Sequence, residues 1–339
     1  MGEKVLVTGG TGYVAGWCVA ALLERGFEVR TTVRSRAREQ AVRDAVASAV
    51  DPGDRLGFAV ADLTADDGWD AAMQGVDYVL HVASPLGDDT SGADLIGPAR
   101  DGTLRVLRAA TANGVRRVVM TSAANAASPT SYRSEGVTDE TLWTVDAPSL
   151  PAYRRSKTLA ERAAWDFMAS YTGPTTLTTV LPGAVFGPIL TTANLGSVRI
   201  IARMLSGSLP GAPRIGLEVV DVRDLADLHI RAMVAPAAAG ERFLGTGEFI
   251  WMRDMAVLLR DGLGPDGARV STRQIPDVVV RATSLFDRSL RSITVSLGRR
   301  NRHSTQKAGR ILDWTPRPAS ETVLSCARSL IAHDLTNVK

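Results

Sequence analysis

The chain has 339 residues, 45% apolar and 22% charged, which is enough apolar matter for a sizeable core and too much for a disordered chain. Its 39 basic and 36 acidic side chains leave a net charge of +3, too small to point to nucleic acid or an anionic membrane surface, and no apolar run approaches the ~18 residues that would span a bilayer. Cys18 and Cys326 cannot build a disulfide framework, and His81, His229, His303 and His333 lie too far apart for metal-ligand spacing, so the expectation is a metal-free protein of a reducing, cytoplasmic compartment. Met1-Gly2-Glu3-Lys4 runs directly into a glycine-rich stretch without the pattern of a signal peptide.

In chain order, residues 4–8 (KVLVT) read as a buried strand and 12–25 as a helix that places Val14, Cys18, Ala21 and Leu22 on one face and stops at Gly26. Residues 27–33 read as a second strand, and 36–50 as a helix ended by Asp51-Pro52-Gly53. Strands follow at 56–61 and 76–82, a long helix at 94–113 closed by Gly114, and a strand at 115–121. A helix over 151–171 then leads to a strand over 175–181. This alternation implies an α/β fold, a parallel sheet with helices on both faces. Beyond Leu181 prolines and glycines break the rhythm. Two later segments, 218–221 and 242–244 with a helix at 224–234 between them, are expected to return to the main sheet, and a last helix falls near 319–333. The expected division is therefore a nucleotide-binding domain over 1–182 plus returning segments near 218–245, and a smaller substrate-binding lobe over 183–217 and 246–335.

Thr8-Gly9-Gly10-Thr11-Gly12-Tyr13-Val14-Ala15 stands where the first strand turns into the first helix. Glycines there permit a tight turn and close backbone approach to a pyrophosphate, which the helix N-terminus attracts with free amides and the positive end of its dipole. The second strand ends in Val29-Arg30-Thr31-Thr32-Val33-Arg34. A carboxylate there would grip a ribose 2′-hydroxyl; Arg34 instead suits a 2′-phosphate, so the cofactor is expected to be NADP(H).

Tyr153 and Lys157 lie four apart in a helix and share a face. With five tyrosines and four lysines, chance supplies about 0.06 such pairs, counting by spacing. A phenol is a poor acid or base at neutral pH, and a neighbouring ammonium is expected to lower its pKa and make Tyr153 a usable proton donor.

Taken together, VTGGTGYVAG (7–16), TTVRS (31–35), ADL (61–63), HVASP (81–85), DGTLRVLRAA (101–110), VRRVVMTSA (115–123), YRRSK (153–157), LPGAVFGP (181–188), VDVRDLADLH (220–229) and RILDWTPRP (310–318) resemble the extended short-chain dehydrogenase/reductase superfamily, nearest the dihydroflavonol reductase-like carbonyl and aldehyde reductases. The resemblance covers nearly the whole chain and implies a Rossmann-type doubly wound sheet with a smaller C-terminal lobe. It implies that Asp62 and Leu63 flank the adenine, that Val82, Ala83, Ser84 and Thr121 line the cofactor cleft, and that Pro182, Gly183 and Val185 approach the nicotinamide. It also implies that Tyr153 protonates a carbonyl oxygen while Lys157 holds the ribose.

One position departs from the family pattern. The serine that would hydrogen-bond the substrate carbonyl falls at Ala123. Ser122 or Thr121 could supply the hydroxyl after a local shift, with Ser122 the preferred candidate; Asn125 or a water could polarise the carbonyl instead; or the chain is impaired. Expected substrate contacts are Leu86, Asn125, Tyr153, Phe186 and Leu190, with Tyr132, Trp143, Leu195 and Met204 as further pocket candidates. Arg299-Arg300-Asn301-Arg302-His303 reads as a solvated basic loop, and His81 as a satisfied strand histidine. The function expected is NADPH-dependent reduction of a small ketone or aldehyde by a monomer or homodimer. The alternatives are a sugar-nucleotide epimerase or dehydratase, a 3β-hydroxysteroid dehydrogenase, and a non-enzymatic NADPH sensor. A sugar dehydratase would want an Asp–Glu pair where Thr121-Ser122-Ala123 stands.

Overall fold

The computed structural model describes residues 2–85, 95–130, 135–193, 195–286 and 294–337. Its strands are β1 (Lys4–Val7), β2 (Glu28–Val33), β3 (Leu56–Val60), β4 (Tyr78–His81), β5 (Arg117–Thr121), β6 (Gly136–Thr138), β7 (Thr176–Pro182), β8 (Ala184–Phe186), β9 (Ala212–Pro213), β10 (Gly216–Asp221), β11 (Arg242–Gly245), β12 (Phe249–Trp251), β13 (Gln274–Ile275) and β14 (Asn301–His303). Seven of them form one sheet in the order β11-β7-β5-β4-β1-β2-β3, and every pairing within it is parallel. The order reverses between β1 and β4, where successive crossovers leave for opposite sides and open a crevice at the strands' carboxyl ends.

Strands buried on both faces read as continuous apolar runs, and the side-chain period of two sorts them between the layers. Val5 and Val7 of β1 pack with α1 (Tyr13–Glu24), α2 (Glu39–Ala47) and α7 (Val222–Val234), while Leu6 between them points into the opposite core, against α3 (Trp69–Met73), α4 (Ile96–Ala112) and α5 (Ala152–Ser170). Element bounds fall within a few residues of the sequence reading. The start of α7 moves from 224 to Val222 because Asp221 is its N-cap, accepting the Arg223 amide at 2.9 Å.

One expectation about the sheet fails. Residues 242–245 return to the main sheet as β11, but residues 218–221 do not. They form β10, which pairs with β8 in parallel and with β12 in antiparallel fashion, in a separate three-stranded sheet. The cause is the break after β7. Pro182 is the last residue in register with β11, and the Gly183 amide bonds the Gly245 carbonyl at 3.2 Å. A Cβ on Gly183 would stand 2.4 Å from the Glu218 carbonyl oxygen, so only glycine lets β8 leave the sheet so close to β10. A second core surrounds the small sheet, built from α6 (Arg199–Leu205), α8 (Met252–Gly262), α9 (Asp277–Thr283) and the helix Ala319–Ala332, with Phe186, Ile201, Leu205, Met255 and Leu259 among its buried members. The short pairs β9–β13 and β6–β14 close its flanks. No helix among the described residues is long and apolar enough to cross a membrane.

The buried Arg117 of β5 ties helix to sheet. Its guanidinium donates to the carbonyls of Ala232 at 2.9 Å, Met233 at 3.2 Å and Ala235, the open C-terminal end of α7, and to Thr176 Oγ1 at 3.1 Å. A cation on the negative end of a helix dipole, with its donors satisfied, is stabilising, whereas the carbonyls it leaves behind would be buried and unpaired. Replacing Arg117 by Met is expected to lower unfolding free energy by about 2–3 kcal/mol, read as an earlier urea midpoint at unchanged m-value.

Candidate active site

The glycine turn is held by the second strand. Gly9 has φ +76° and its amide donates to Thr32 Oγ1 at 2.8 Å; the Gly10 amide donates to the Thr32 carbonyl at 2.9 Å. A Cβ on Gly10 would lie 2.5 Å from Thr31 Oγ1, and one on Gly12 3.1 Å from the Gly9 carbonyl oxygen. The two glycines therefore answer different needs. Gly10 makes room for β2, and Gly12 keeps the mouth of the turn open where α1 presents the unpartnered amides of its first turn.

From this turn a cleft of about 990 Å³ runs along the carboxyl edge of the sheet. Gly9, Thr11, Gly12, Tyr13, Val14, Arg34, Asp62, Leu63, Val82, Ala83, Ser84, Thr121, Pro182, Gly183 and Val185 line it, and so do Ser122, Asn125, Tyr153 and Lys157. Arg34 is exposed at its rim, and no salt bridge among the described residues engages it. The Asp62 carboxylate takes the amide and hydroxyl of Thr64, each at 2.8 Å, and these bonds, with help from the Arg34 cation, hold it below the usual carboxylate range.

Two members of the turn do not face the cleft. Thr8 is fully buried; its Oγ1 accepts the Ala83 amide at 2.9 Å and lies 3.0 Å from His81 Nδ1. Gly10 is turned onto Thr31. Both act on the cleft only by fixing its wall. His81, as expected, is a satisfied strand histidine between Thr8 and Thr103, and burial drives its pKa down to about 3.

At the far end α5 seats Tyr153 and Lys157 against the end of β5. The neighbouring Arg154 is 3% exposed and clamps the loop after β5 to the helix through the carbonyls of Asn125, Ser128 and Pro129. The Lys157 amine donates to the Thr121 carbonyl at 3.4 Å, and burial lowers its pKa to about 8, partly offset by the Glu161 carboxylate. Burial also raises the Tyr153 phenol above its ordinary value. This runs opposite to the acidification expected from Lys157, because loss of water penalises the phenolate.

The hydroxyls nearest Ala123 are committed elsewhere. Ser122, the preferred candidate for the carbonyl contact, is 1% exposed and donates to Glu161 Oε2 at 2.6 Å, so its proton is not aimed into the cleft. Thr121 Oγ1 lies 2.8 Å from His229 Nε2, whose Nδ1 faces the Leu225 carbonyl at 2.8 Å; that pairing puts the hydrogen on Nδ1 and makes Thr121 the donor to Nε2. Ala123 offers only a methyl to the cleft wall. The Asn125 side chain lines the cleft and makes no hydrogen bond among the described residues.

Several expected substrate contacts lie elsewhere. Phe186 is fully buried in the second core, and Met204 with it. Leu190 packs toward Gly16 of α1, Leu195 packs on the second core, and Trp143 lies under the guanidinium of Arg242. Leu86 and Tyr132 lie outside the described residues. The basic loop is corrected as well: Arg299, Asn301 and His303 turn into the cleft wall. There Ser128 Oγ lies 2.9 Å from His303 Nε2, and Glu218 takes the His303 amide at 2.6 Å and approaches Nδ1. Trp69, Ser128, Glu218 and the pair Asn301 and His303 of β14 are wall residues that local pattern gave no means of bringing together, since they arrive from four separate segments. Among the described residues, no group of three His, Cys, Asp or Glu is arranged to hold a metal ion.

The family model for the NAD dependent epimerase/dehydratase family matches residues 5–244. The chain is 36% identical over 253 residues to cinnamoyl-CoA reductase CAD2 of Medicago truncatula, covering 72% of this chain and 76% of that protein. It is 32% identical over 313 residues to ketoreductase azaE of Aspergillus niger, covering 85% and 91%. Among solved structures, yeast methylglyoxal/isovaleraldehyde reductase Gre2 complexed with NADPH superposes with a TM-score of 0.80 over 98% of this chain and 100% of that one, at 21% identity, a likeness of fold.

Gly9→Ala is the substitution that tests the turn. The new methyl would sit 2.9 Å from the Ala83 Cβ on a backbone at φ +76°. A stability loss of about 1–3 kcal/mol by urea unfolding is expected, larger than for Gly26→Ala, which shares the backbone strain of a positive φ (+87°) but whose Cβ meets nothing within 4 Å.

Proposed function

Because the chain belongs to the NAD dependent epimerase/dehydratase family, in the extended short-chain dehydrogenase/reductase branch, we propose that it is an NADP-dependent oxidoreductase that reduces a small aldehyde or ketone to an alcohol. The observation that carries this reading is that Tyr153 and Lys157 stand in the wall of the same cleft that begins at the glycine turn. The names of the relatives, a cinnamoyl-CoA reductase and a ketoreductase, support carbonyl reduction.

The residues fit a dinucleotide. A Cβ at Gly12 would crowd the turn that receives a pyrophosphate, and the first-turn amides of α1 point there. Arg34 would take the 2′-phosphate, Asp62 and Leu63 would flank the adenine, and Val82, Ala83, Ser84 and Thr121 would line the path to Pro182, Gly183 and Val185 beside the nicotinamide. When bound, NADPH supplies the hydride. Lys157 would hold the ribose nearest Tyr153.

The high pKa of Tyr153 suits reduction. An alkoxide is far more basic than a phenolate, so a phenol kept neutral by burial remains protonated through neutral pH and can still give its proton to the nascent alkoxide. Asn125 is the side chain assigned to polarise the carbonyl oxygen, since Thr121 and Ser122 spend their protons on His229 and Glu161. The substrate would occupy the cleft between Asn125, Ile215, Leu217 and Phe249, a largely apolar enclosure suited to an aromatic or aliphatic carbonyl compound.

Loss of NADPH absorbance with a panel of aldehydes and ketones tests the reading. Tyr153→Phe is expected to lower kcat by about 10²–10⁴ and Asn125→Ala by about 10–10³, with NADPH binding by fluorescence retained in both. Full activity in Tyr153→Phe would refute the assignment. Separately, Arg34→Ala is expected to weaken NADPH binding by about tenfold or more and leave NADH binding nearly unchanged; equal losses for both cofactors would remove Arg34 from 2′-phosphate recognition.

A further inference from the structure

One turn beyond Lys157 the same face of α5 carries a third ionisable side chain, Glu161, which is fully buried. Arg242 of β11 pairs with it through two nitrogens, Nε to Oε1 at 2.8 Å and Nη2 to Oε2 at 3.3 Å. Thr179 of β7 donates to Oε1 at 2.8 Å and Ser122 to Oε2 at 2.6 Å. Arg242 is itself fixed, by the carbonyls of Glu140 and Leu142 and by the Trp143 ring 3.6 Å beneath it. Thr121 and Ser122 are consecutive at the end of β5, and one holds the Lys157 ammonium while the other holds the Glu161 carboxylate.

A buried ammonium needs a counter-charge, and a carboxylate already paired with a guanidinium supplies only part of one. A charge that acts on Lys157 is the Glu161 carboxylate, which favours the ammonium, while three titratable neighbours are neutral. Tyr153 on α5 is a neutral phenol. His81 on β4 and His229 on α7, which is reached through Thr121, are pushed by burial to about 3 and about 4 and are uncharged near neutrality. The balance at Lys157 therefore lies with Glu161 and with the cation that shares it.

We propose that Glu161 and Arg242 are positioning residues that set the protonation of Lys157, the carboxylate favouring the ammonium and the guanidinium withholding part of that carboxylate's field, with Ser122 trimming it through its hydrogen bond. The pair thereby governs how readily the amine beneath Tyr153 holds its proton. This rests on reading Tyr153 and Lys157 as the proton-handling pair, but its test does not need turnover.

The chain contains only four lysines, Lys4, Lys157, Lys307 and Lys339, so carbon-13 NMR of lysine-labelled protein can follow each one across neutral and alkaline pH, with Lys157→Met identifying the signal. In the native chain Lys157 should titrate near 8. Glu161→Gln should move the midpoint down by about one pH unit. Arg242→Gln should move it up, and Arg242→Lys, which restores the cation, should return it toward the native value. Ser122→Ala, the variant that disturbs packing least, should move it up by a few tenths of a unit, on the order expected for loss of one hydrogen bond to a carboxylate. Circular dichroism establishes which variants are folded. Opposite shifts in the Glu161 and Arg242 variants are a signature that loss of structure does not produce. A folded Arg242→Gln or Ser122→Ala whose Lys157 midpoint is unmoved or lowered overturns the proposal, as does a folded Glu161→Gln that raises it. The alkaline limb of kcat/KM for carbonyl reduction should shift in the same order. A chain that reduces no carbonyl refutes the functional reading, while the NMR midpoints still decide the role of the pair.

Discussion

The seating of α5 on the carboxyl end of β5 is the contact on which the rest of the site depends. Ala160 and Ala164 of α5 are buried in the core that the helix shares with α4, β5 and β7. Once seated, the helix puts Tyr153 and Lys157 at the cleft, Glu161 against β7 and β11, and Arg154 under the loop that carries Asn125 and Ser128. Four side chains of one helix thus address the cleft, the β7–β11 edge and the loop after β5, and displacement of the helix would disturb all of them together.

Burial determines the chemistry of these groups more than pairing does. In water the ammonium of Lys157 would make the phenol of Tyr153 more acidic; inside the protein both groups lose hydration, so the amine becomes easier to deprotonate and the phenol harder. The buried carboxylate of Glu161 is tolerated because five donors, from Ser122, Thr179, Trp165 and two nitrogens of Arg242, converge on it.

The second core is bound to the seven-stranded sheet by specific polar contacts as well as by packing. The Tyr13 hydroxyl donates to the Gly187 carbonyl at 3.0 Å and Trp17 Nε1 to the Pro188 carbonyl at 2.8 Å, so α1, which opens the glycine turn, also grips the chain leaving β8. Across the cleft, His303 links Glu218 of the small sheet to Ser128 of the loop after β5. The cleft therefore has walls from both cores held in fixed register.

The parallel sheet, its helices, the glycine turn, Arg34 and the Tyr153–Lys157 pair were legible in the chain because each is a local pattern. Strand and helix periods repeat within a dozen residues, the turn requires glycines at fixed spacing, and two side chains four apart on a helix must share a face. The tertiary structure decided where hydroxyl protons go, how far burial moves the phenol and the amine, and which loop reaches the cleft. Ser122 turns to Glu161, Phe186 belongs to the second core, residues 218–221 join β8 and β12 instead of the main sheet, and a basic stretch at 299–303 becomes cleft wall. The physical reason is one of range: hydrogen bonds and desolvation depend on which distant segments arrive within a few ångströms, and residues 39, 81 or 175 positions apart, as in Ser122–Glu161, Glu161–Arg242 and Ser128–His303, carry no mark of one another in the sequence.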